Sequence, residues 1–227
     1  MPRPRTIAIG DIHGCLAPLA ALLGFLKPVP EDHLIFLGDY IDRGPSSKGV
    51  IQRLIELRGV LDVSCIMGNH EEMMLNARTL ADTRRDWLRN GGDAALRSYG
   101  GARGTLADVP PRHWQFLEND LVAYVETDTH LFVHASVHPD APMHEQPPYM
   151  LRWERFDHVT RRHKSRKTLV CGHTPQPEGR PGNKGFAVCL DTHAFRGGPL
   201  SCLVLPGNRI VQASPEGEIS EAPLSDF

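Results

Sequence analysis

The chain has 227 residues, of which 41% are hydrophobic and 23% are charged, and its formal net charge is −2. These proportions are those of an ordinary globular protein, so they exclude fibrous and disordered classes, and the small net charge gives no indication of a nucleic-acid or membrane partner. Five cysteines without a Cys-x-x-Cys pair favour a reducing, cytoplasmic compartment over a structural zinc site. The longest apolar run, 16–26, is too short to span a bilayer.

The N-terminal part of the chain alternates between β-branched runs and amphipathic segments. This pattern predicts strands at Thr6–Ile9, His33–Leu37 and Leu61–Met67, with helices at 16–27 and at about Lys48–Arg58. Such a β-α-β-α-β unit has parallel strands joined by right-handed crossovers. Ligands of these sheets bind in the loops at the carboxyl ends of the strands.

The remainder of the chain changes from helical to β-rich patterns. Residues 72–119 are predicted to be helical, and 153–163 to form a further helix. Strands are predicted at Leu121–Glu126 and His130–His134 as a hairpin, at Thr168–Cys171, and near 186–191, 199–205 and 209–213. The segment 214–227 carries four acidic residues and no Lys or Arg, which predicts loose attachment. We therefore expect one catalytic domain over 1–213 and a flexible acidic tail over 214–227.

Polar residues flanked by glycines follow each of the first three predicted strands. The clusters are Gly10-Asp11-Ile12-His13-Gly14, Gly38-Asp39-Tyr40-Ile41-Asp42-Arg43-Gly44 and Gly68-Asn69-His70-Glu71, and two later strands end at His134 and His173. Carboxylates, imidazoles and an amide without a thiolate suit manganese, iron or zinc. There are enough ligands for two ions, with Asp39 placed to bridge them. Two such ions can clamp the entering and leaving oxygens of a displacement at phosphorus.

Taken together, these segments resemble the signature motifs of the PPP family of metallophosphoesterases, the metal-dependent serine/threonine protein phosphatases. His134-Ala135-Ser136 and Gly172-His173-Thr174 resemble the family's two later histidine motifs, and Leu151-Arg152-Trp153-Glu154-Arg155 resembles a segment of its small bacterial and phage branch. The resemblance covers about 6–205. It implies the calcineurin-like fold, a single-domain α/β protein in which a β-sandwich of mixed sheets is flanked by helices.

The resemblance also implies a role for each matching residue. The first metal is bound by Asp11, His13 and Asp39, and the second by Asp39, Asn69, His134 and His173. Arg43, Arg155 and Asn69 contact the phosphate, and His70, oriented by Asp42, is the general acid. A hydroxide bridging two divalent cations, Mn²⁺ or alternatively Fe or Zn, then attacks phosphorus directly.

The substrate class is less closely specified than the chemistry. The resemblance implies a phosphorylated protein or a small phosphate ester as substrate. Asp42 before Arg43 favours a protein, hydrolysed at phosphoserine or phosphothreonine, because the related hydrolases of symmetrical dinucleoside tetraphosphates typically lack an acidic residue at that position. Symmetrical dinucleoside tetraphosphates are the alternative, because related hydrolases share the metal motifs. A non-catalytic binding module is a remote third possibility, since such proteins usually lose ligands that are present here. Ser136 and His193 stand where the family usually has glycine, and His193 is predicted to be a surface loop residue.

Overall fold

A computed structural model describes residues 4–227, so the first three residues of the predicted 1–213 domain lie outside the described residues. The strands are β1 (Thr6–Ile9), β2 (His33–Phe36), β3 (Asp62–Ile66), β4 (Leu121–Val122), β5 (Val125–Glu126), β6 (His130–Phe132), β7 (Thr168–Cys171), β8 (Gly182–Asn183), β9 (Ala187–Cys189), β10 (Leu200–Leu205), β11 (Arg209–Ala213) and β12 (Ile219–Pro223). The α-helices are α1 (Leu16–Leu26), α2 (Ser47–Arg58), α3 (Asn69–Asn76), α4 (Ala81–Trp87), α5 (Asp93–Gly100), α6 (Pro111–Asn119) and α7 (Pro148–Trp153).

The strands form two mixed sheets. The first has the order β12-β11-β10-β1-β2-β3-β4, in which β1 to β4 are parallel and β10 to β12 antiparallel. The second has the order β5-β6-β7-β9-β8, in which β6, β7 and β9 are parallel. The predicted β-α-β-α-β unit and the two-sheet architecture are therefore confirmed.

Alternation along each strand explains the layers. In β2, Leu34 and Phe36 face the cluster that includes the buried side of α1, whereas Ile35 lies between the sheets with Phe132 and Val188. Successive side chains of a strand point to opposite faces, so both faces of this strand must be covered. The result is one apolar layer between the sheets and another beneath the helices.

The predicted helix over 153–163 is wrong. Helix α7 begins at Pro148 and ends at Trp153, and only a single 3₁₀ turn follows at Phe156–His158. Proline suits the first helical position because the backbone N–H that it lacks would have no hydrogen-bond partner there. The helix ends because the backbone of Glu154 is extended. In the predicted hairpin, β4 instead pairs with β3 of the first sheet, while β5 and β6 pair as expected.

The acidic C-terminal segment is attached rather than loose. Strand β12 pairs with β11 along its whole length, and Arg209 forms an ion pair with Glu221 at 2.6 Å. Leu224 and Phe227 pack against the layer between the sheets, and Asn183 of β8 donates to the Leu224 carbonyl. Apolar contacts thus override the acidic composition. That 1–213 suffices as the catalytic domain stays a prediction.

A buried ion pair ties the start of β1 to the loop before β2. Asp32, whose side chain is 2% exposed, accepts from the Arg5 Nε at 3.1 Å and from the Val29 amide at 3.0 Å. The hydrogen bond from Arg5 holds the pKa of Asp32 below its ordinary value. The carboxylate therefore stabilises the fold above the unfolded-state pKa, and this contribution is lost as pH falls through the lower folded-state pKa.

Asp32→Asn is expected to lower the free energy of unfolding at pH 7 by about 1–3 kcal/mol, as for hydrogen bonds to a charged group. Urea denaturation at pH 7, 5 and 3.5 measures this, and the difference from wild type should persist at pH 5 and shrink at the lowest pH. Glu31→Gln, at the exposed neighbouring position, is the control and should change the free energy of unfolding little. A constant difference at all three values would contradict the ionic role.

Candidate active site

The polar strand-end clusters meet at one edge of the sandwich. His13 follows β1, Asp39 follows β2, Asn69 and His70 begin α3, and His134 and His173 follow β6 and β7. Asp11 and His173 are 162 residues apart in the chain, yet the His173 amide donates to both Asp11 carboxylate oxygens, at 3.2 and 3.0 Å. The carboxyl ends of the parallel strands of both sheets therefore build a single site, which straddles the two sheets.

The Asp39 carboxylate lies at the centre of this site and is 2% exposed. One oxygen lies 3.5 Å from His13 Nε2 and 3.9 Å from His70 Nε2, and the other lies 3.4 Å from His134 Nε2. Burial alone would raise the pKa of Asp39, but charge attraction from neighbouring histidines, of which His70 has a raised pKa, outweighs burial and lowers it. A negative charge is thus maintained at the centre.

Two groups of side chains, both including Asp39, could each hold a metal ion. One is His13, Asp39 and His70, and the other is Asp39, His134 and His173, and within each group the ligand atoms lie within 4.8 Å of one another. The sequence-based first set has Asp11 where this geometry has His70. Asp11 is buried beside the second group, and burial together with Asp191 and Asp39 raises its pKa.

Hydrogen bonds determine which ring nitrogens face inward in the second group. His134 Nδ1 lies 2.8 Å from the Leu37 carbonyl, and His173 Nε2 lies 3.1 Å from the Trp153 carbonyl. A carbonyl oxygen only accepts, so these nitrogens carry the ring protons. The other nitrogens, His134 Nε2 and His173 Nδ1, face Asn69 Oδ1 at 2.9 and 3.0 Å.

Burial keeps both rings neutral, which leaves the inward nitrogens without protons. It lowers the pKa of His134 and, together with His134, lowers the pKa of His173 to about 4. Two imidazole nitrogens, the amide oxygen of Asn69 and a carboxylate oxygen of Asp39 therefore direct lone pairs at one another. Acceptors in this arrangement repel unless a cation lies among them, and nitrogen with oxygen ligands suits manganese, iron or zinc. The residues fit a divalent cation.

His13 is oriented in the same way, by a hydrogen bond to a backbone carbonyl, and an arginine lies beside it. Its Nδ1 donates to the Ile41 carbonyl at 2.8 Å, so Nε2 is the acceptor that faces Asp39. Arg43 Nη1 donates to this Nε2 at 2.8 Å. The structure thus brings Arg43 to the site. Arg155 is different: its side chain is 53% exposed and pairs with Asp157 at 2.8 Å, and none of the hydrogen bonds in the described residues joins its guanidinium to the cluster.

His70 has a buried partner on the side away from Asp39. Its Nδ1 lies 2.6 Å from Asp42 Oδ2, and the Trp87 indole N–H donates to the same oxygen at 2.8 Å. Burial opposes protonation of His70, but Asp39 and Asp42 outweigh it and raise its pKa. Asp42 Oδ1 is buried without a hydrogen-bond partner in the described part of the chain. The three side chains form a chain of contacts that orients the His70 ring.

Strained backbone is concentrated at these residues. The following have positive φ values: His13 at 45°, Asp39 at 51°, Asp42 at 72°, Arg43 at 67° and His173 at 65°. Residues with a Cβ rarely adopt this left-handed region, and such strain persists where the surroundings impose it. The loops are shaped by the site rather than by local preference.

Glu71 and Trp87 contribute to the site, although neither has a role predicted from the sequence. The Glu71 carboxylate accepts from the amides of Asp39 at 2.9 Å, Tyr40 at 2.8 Å and Gly68 at 3.0 Å. Burial and Asp39 raise the pKa of Glu71 to about 8. Its place in the third glycine-flanked cluster was a signal that could have indicated this role. Trp87 lies outside every cluster, and its contact with Asp42 has no local signal.

Comparison with known proteins identifies the family. A model described as calcineurin-like phosphoesterase matches residues 4–200. The chain therefore belongs to this metallophosphoesterase family, and the resemblance inferred from the motifs is confirmed at that level.

Individual relatives differ in the activity that their names give. The chain is 42% identical over 86 residues to serine/threonine-protein phosphatase 1 of Salmonella typhimurium, covering 37% of this chain and 38% of that protein. It is 34% identical over 129 residues to a symmetrical bis(5'-nucleosyl)-tetraphosphatase of Pseudomonas putida, covering 47% and 43%. The chain thus spans less than half the length of these curated relatives.

Solved structures extend the similarity to the whole fold. A cold-active protein-tyrosine phosphatase of a psychrophilic Shewanella has a TM-score of 0.65 at 19% identity, and the match covers 97% of this chain and 82% of that one. At this identity the likeness concerns the fold alone. No helix within 4–227 has the length and apolar character needed to cross a membrane.

Proposed function

We propose that the protein is a metal-dependent phosphatase that hydrolyses phosphomonoesters. The observation that carries the proposal is the convergence of lone pairs around Asp39, directly beside the His70–Asp42 pair. We assign the first ion to Asp11, His13 and Asp39, which leaves His70 Nε2 able to carry a proton, and the second to Asp39, Asn69, His134 and His173. Mn²⁺ is the cation we propose to supply first. Two bound cations would activate water and offset charge on the phosphate.

The side chains of the protein supply the remaining steps. Arg43 binds a phosphate oxygen through its planar guanidinium, with Arg155 as a second candidate that must leave Asp157 to do so. His70 gives its Nε2 proton to the departing oxygen, and Asp42 stabilises the ring as it loses and regains this proton. Trp87 fixes the Asp42 carboxylate by a hydrogen bond. Water then re-protonates His70.

Phosphoserine or phosphothreonine in a protein is the substrate class we favour. A serine or threonine alkoxide is a poor leaving group, so an oriented general acid matters most for such esters. The 2.6 Å contact between His70 and Asp42 supports this choice. The alternative is a symmetrical dinucleoside tetraphosphate, supported by the name of the Pseudomonas putida relative.

A free thiol at every cysteine in the structure supports a reducing, cytoplasmic compartment.

Turnover with Mn²⁺ supplied tests the proposal, measured as phosphate release from a peptide and as nucleoside diphosphate formation from a dinucleotide, because symmetrical hydrolysis of the dinucleotide frees no orthophosphate. A phosphothreonine peptide and a symmetrical dinucleoside tetraphosphate are compared side by side, and an Asp39→Asn preparation made in parallel reports contaminating phosphatases. Turnover of the peptide with an inert dinucleotide supports a protein phosphatase. The reverse result assigns the dinucleotide, and inertness toward both with metal bound contradicts phosphoester hydrolysis.

Trp87→Phe is expected to lower turnover of a phosphothreonine peptide by about tenfold, since a hydrogen bond to a charged group is worth roughly 1.5–3 kcal/mol. Turnover of p-nitrophenyl phosphate should fall less, because its leaving group needs little protonation. This split in kcat/KM separates a positioning role from loss of folded protein. Trp114→Phe provides the matched control, because Trp114 packs against Arg78 outside the site. Equal losses on both substrates would exclude positioning through Asp42.

A further inference from the structure

A cavity of about 430 Å³ opens beside the candidate active site. Its charged and aromatic wall, here called the arginine pocket, consists of Arg43, Arg89, His193, Phe195 and Arg196. The proposed function uses only Arg43 among these residues. His193, which is predicted from the sequence to be a surface loop residue, lies in this wall.

The Phe195 ring joins the arginine pocket to the candidate active site. Its centroid lies 5.0 Å from the ring of His13, and the ring of His70 lies 4.7 Å from that of His13. The guanidinium carbons of Arg43 and Arg196 lie 4.6 and 5.7 Å from the Phe195 centroid. Cations over an aromatic face are held by its quadrupole, so the ring positions both guanidinium groups. The pocket therefore adjoins the candidate active site at His13.

The arginine pocket is cationic, and its charge is poorly neutralised. Three guanidinium groups line it, and none of its described lining residues is acidic. The carboxylate paired with Arg89 is Asp86, at 3.8 Å, with both side chains more than 70% exposed. An exposed pair of this kind contributes little. Arg196 forms none of the ion pairs found in the described residues. Arg89 and Arg196 therefore remain available to an anion, whereas Arg43 is assigned to the reacting phosphate.

The backbone at His193 indicates that the loop is held in an uncommon conformation. Its φ is 64°, in the left-handed region, and its ring packs edge-on to Phe195 with centroids 4.9 Å apart. Strain of this kind is typical of ligand-binding segments, where packing imposes the conformation. The strained residue presents Phe195 and Arg196 to the cavity on the same short 3₁₀ turn.

We propose that the arginine pocket binds a second anionic group of the substrate, a carboxylate or a phosphate, close to the phosphate that is hydrolysed. This inference rests on the proposed function, since the second anion is recognised relative to the reacting one. A phosphopeptide with acidic residues after the phosphothreonine supplies a carboxylate. A dinucleoside tetraphosphate supplies a phosphate from the same molecule.

The test compares wild type, the double variant R89Q/R196Q and the control R85Q. Arg85 lies on α4 one turn before Arg89, is 67% exposed and is not among the residues that line the cavity. The substrates are p-nitrophenyl phosphate, a phosphothreonine peptide with glutamates two and three residues later, its glutamine counterpart, and a symmetrical dinucleoside tetraphosphate. Each kcat/KM is divided by that for p-nitrophenyl phosphate with the same protein.

Wild type should prefer the glutamate peptide over the glutamine peptide by about five- to tenfold, as for two partly exposed charge pairs. R89Q/R196Q should reduce this preference to below about twofold, and R85Q should retain it. If R89Q/R196Q lowers the relative kcat/KM for the dinucleotide alone, the second anion is a phosphate. If the relative kcat/KM values of R89Q/R196Q for the peptides and for the dinucleotide equal those of wild type, the inference is overturned.

Failure of the proposed function gives a different result. Wild type then hydrolyses none of the four substrates, and fluorescence anisotropy of the labelled peptides, with chelator present, decides the inference alone. Tighter binding of the glutamate peptide that is lost in R89Q/R196Q supports the pocket. Equal binding of the two peptides to all three proteins overturns it.

Discussion

Asp39→Asn is expected to abolish binding of divalent cations and to lower hydrolysis of phosphate esters by at least about 10³-fold, the upper range for loss of one preorganised electrostatic group. Asp39 belongs to both groups that could hold a metal ion, so the single substitution affects both. Asparagine keeps the size of the side chain but removes the negative charge at the centre of the site. Metal content after dialysis and kcat/KM for p-nitrophenyl phosphate measure the two effects.

Folding controls accompany this experiment. Because the pKa of Asp39 is lowered in the folded protein, its carboxylate stabilises the metal-free fold, and Asp39→Asn is expected to lower the midpoint of thermal unfolding while the transition stays cooperative. Thermal unfolding with chelator present checks this point. Asp62→Asn, at an exposed position at the start of β3, is the matched control and should behave as wild type. An Asp39→Asn protein with normal metal content and activity would place the site elsewhere.

His70→Asn is expected to slow hydrolysis of a phosphothreonine peptide by about 10²- to 10⁴-fold, the usual contribution of a general acid. The loss on p-nitrophenyl phosphate should be below about tenfold, because nitrophenolate departs without a proton. In wild type, Asp39 and Asp42 raise the pKa of His70, which extends its protonated form to higher pH. Activity on the peptide should therefore fall as pH rises through that pKa, and His70→Asn should lack this alkaline decline.

The two substrates and the pH profile separate a general acid from a ligand or a structural residue. His70 also belongs to one of the groups that could hold a metal ion, so metal content is measured in the same variant. His144→Asn, at a side chain that is 74% exposed, is the matched control. Equal losses on both substrates would exclude the general-acid role, and a parallel loss of metal would assign His70 to the cation.

The strand-end residues could be predicted because their signal is local. A β-branched run followed by glycine and a polar cluster marks the carboxyl end of a strand, and parallel strands bring such ends together. The approach of His134 and His173 to Asn69 follows from the same rule applied to the second sheet. The roles of these residues in binding metal stay predictions.

Contacts between distant segments could not be predicted in this way. Trp87 reaches Asp42 across 45 residues, and only the packing of α4 against the loop after β2 brings them together. The glycines at 91 and 92 explain part of this packing. Gly91 has a φ of 107°, and a Cβ at this position would overlap the Arg43 side chain. A Cβ at Gly92 would overlap the Trp87 ring. Composition likewise concealed β12 and the residues after it, because the contacts of Leu224 and Phe227 with the layer between the sheets exist only in the folded protein.

The position of the site across the two sheets has a consequence for the interior of the protein. Asp39 is carried by the first sheet and His134 by the second, and the layer of Ile35, Phe132 and Val188 sets the distance between those sheets. Protein interiors are nearly incompressible, so this layer acts as a spacer for atoms that it never touches. We therefore expect the size of cation that the candidate site accepts to depend on these core side chains as well as on the ligands themselves.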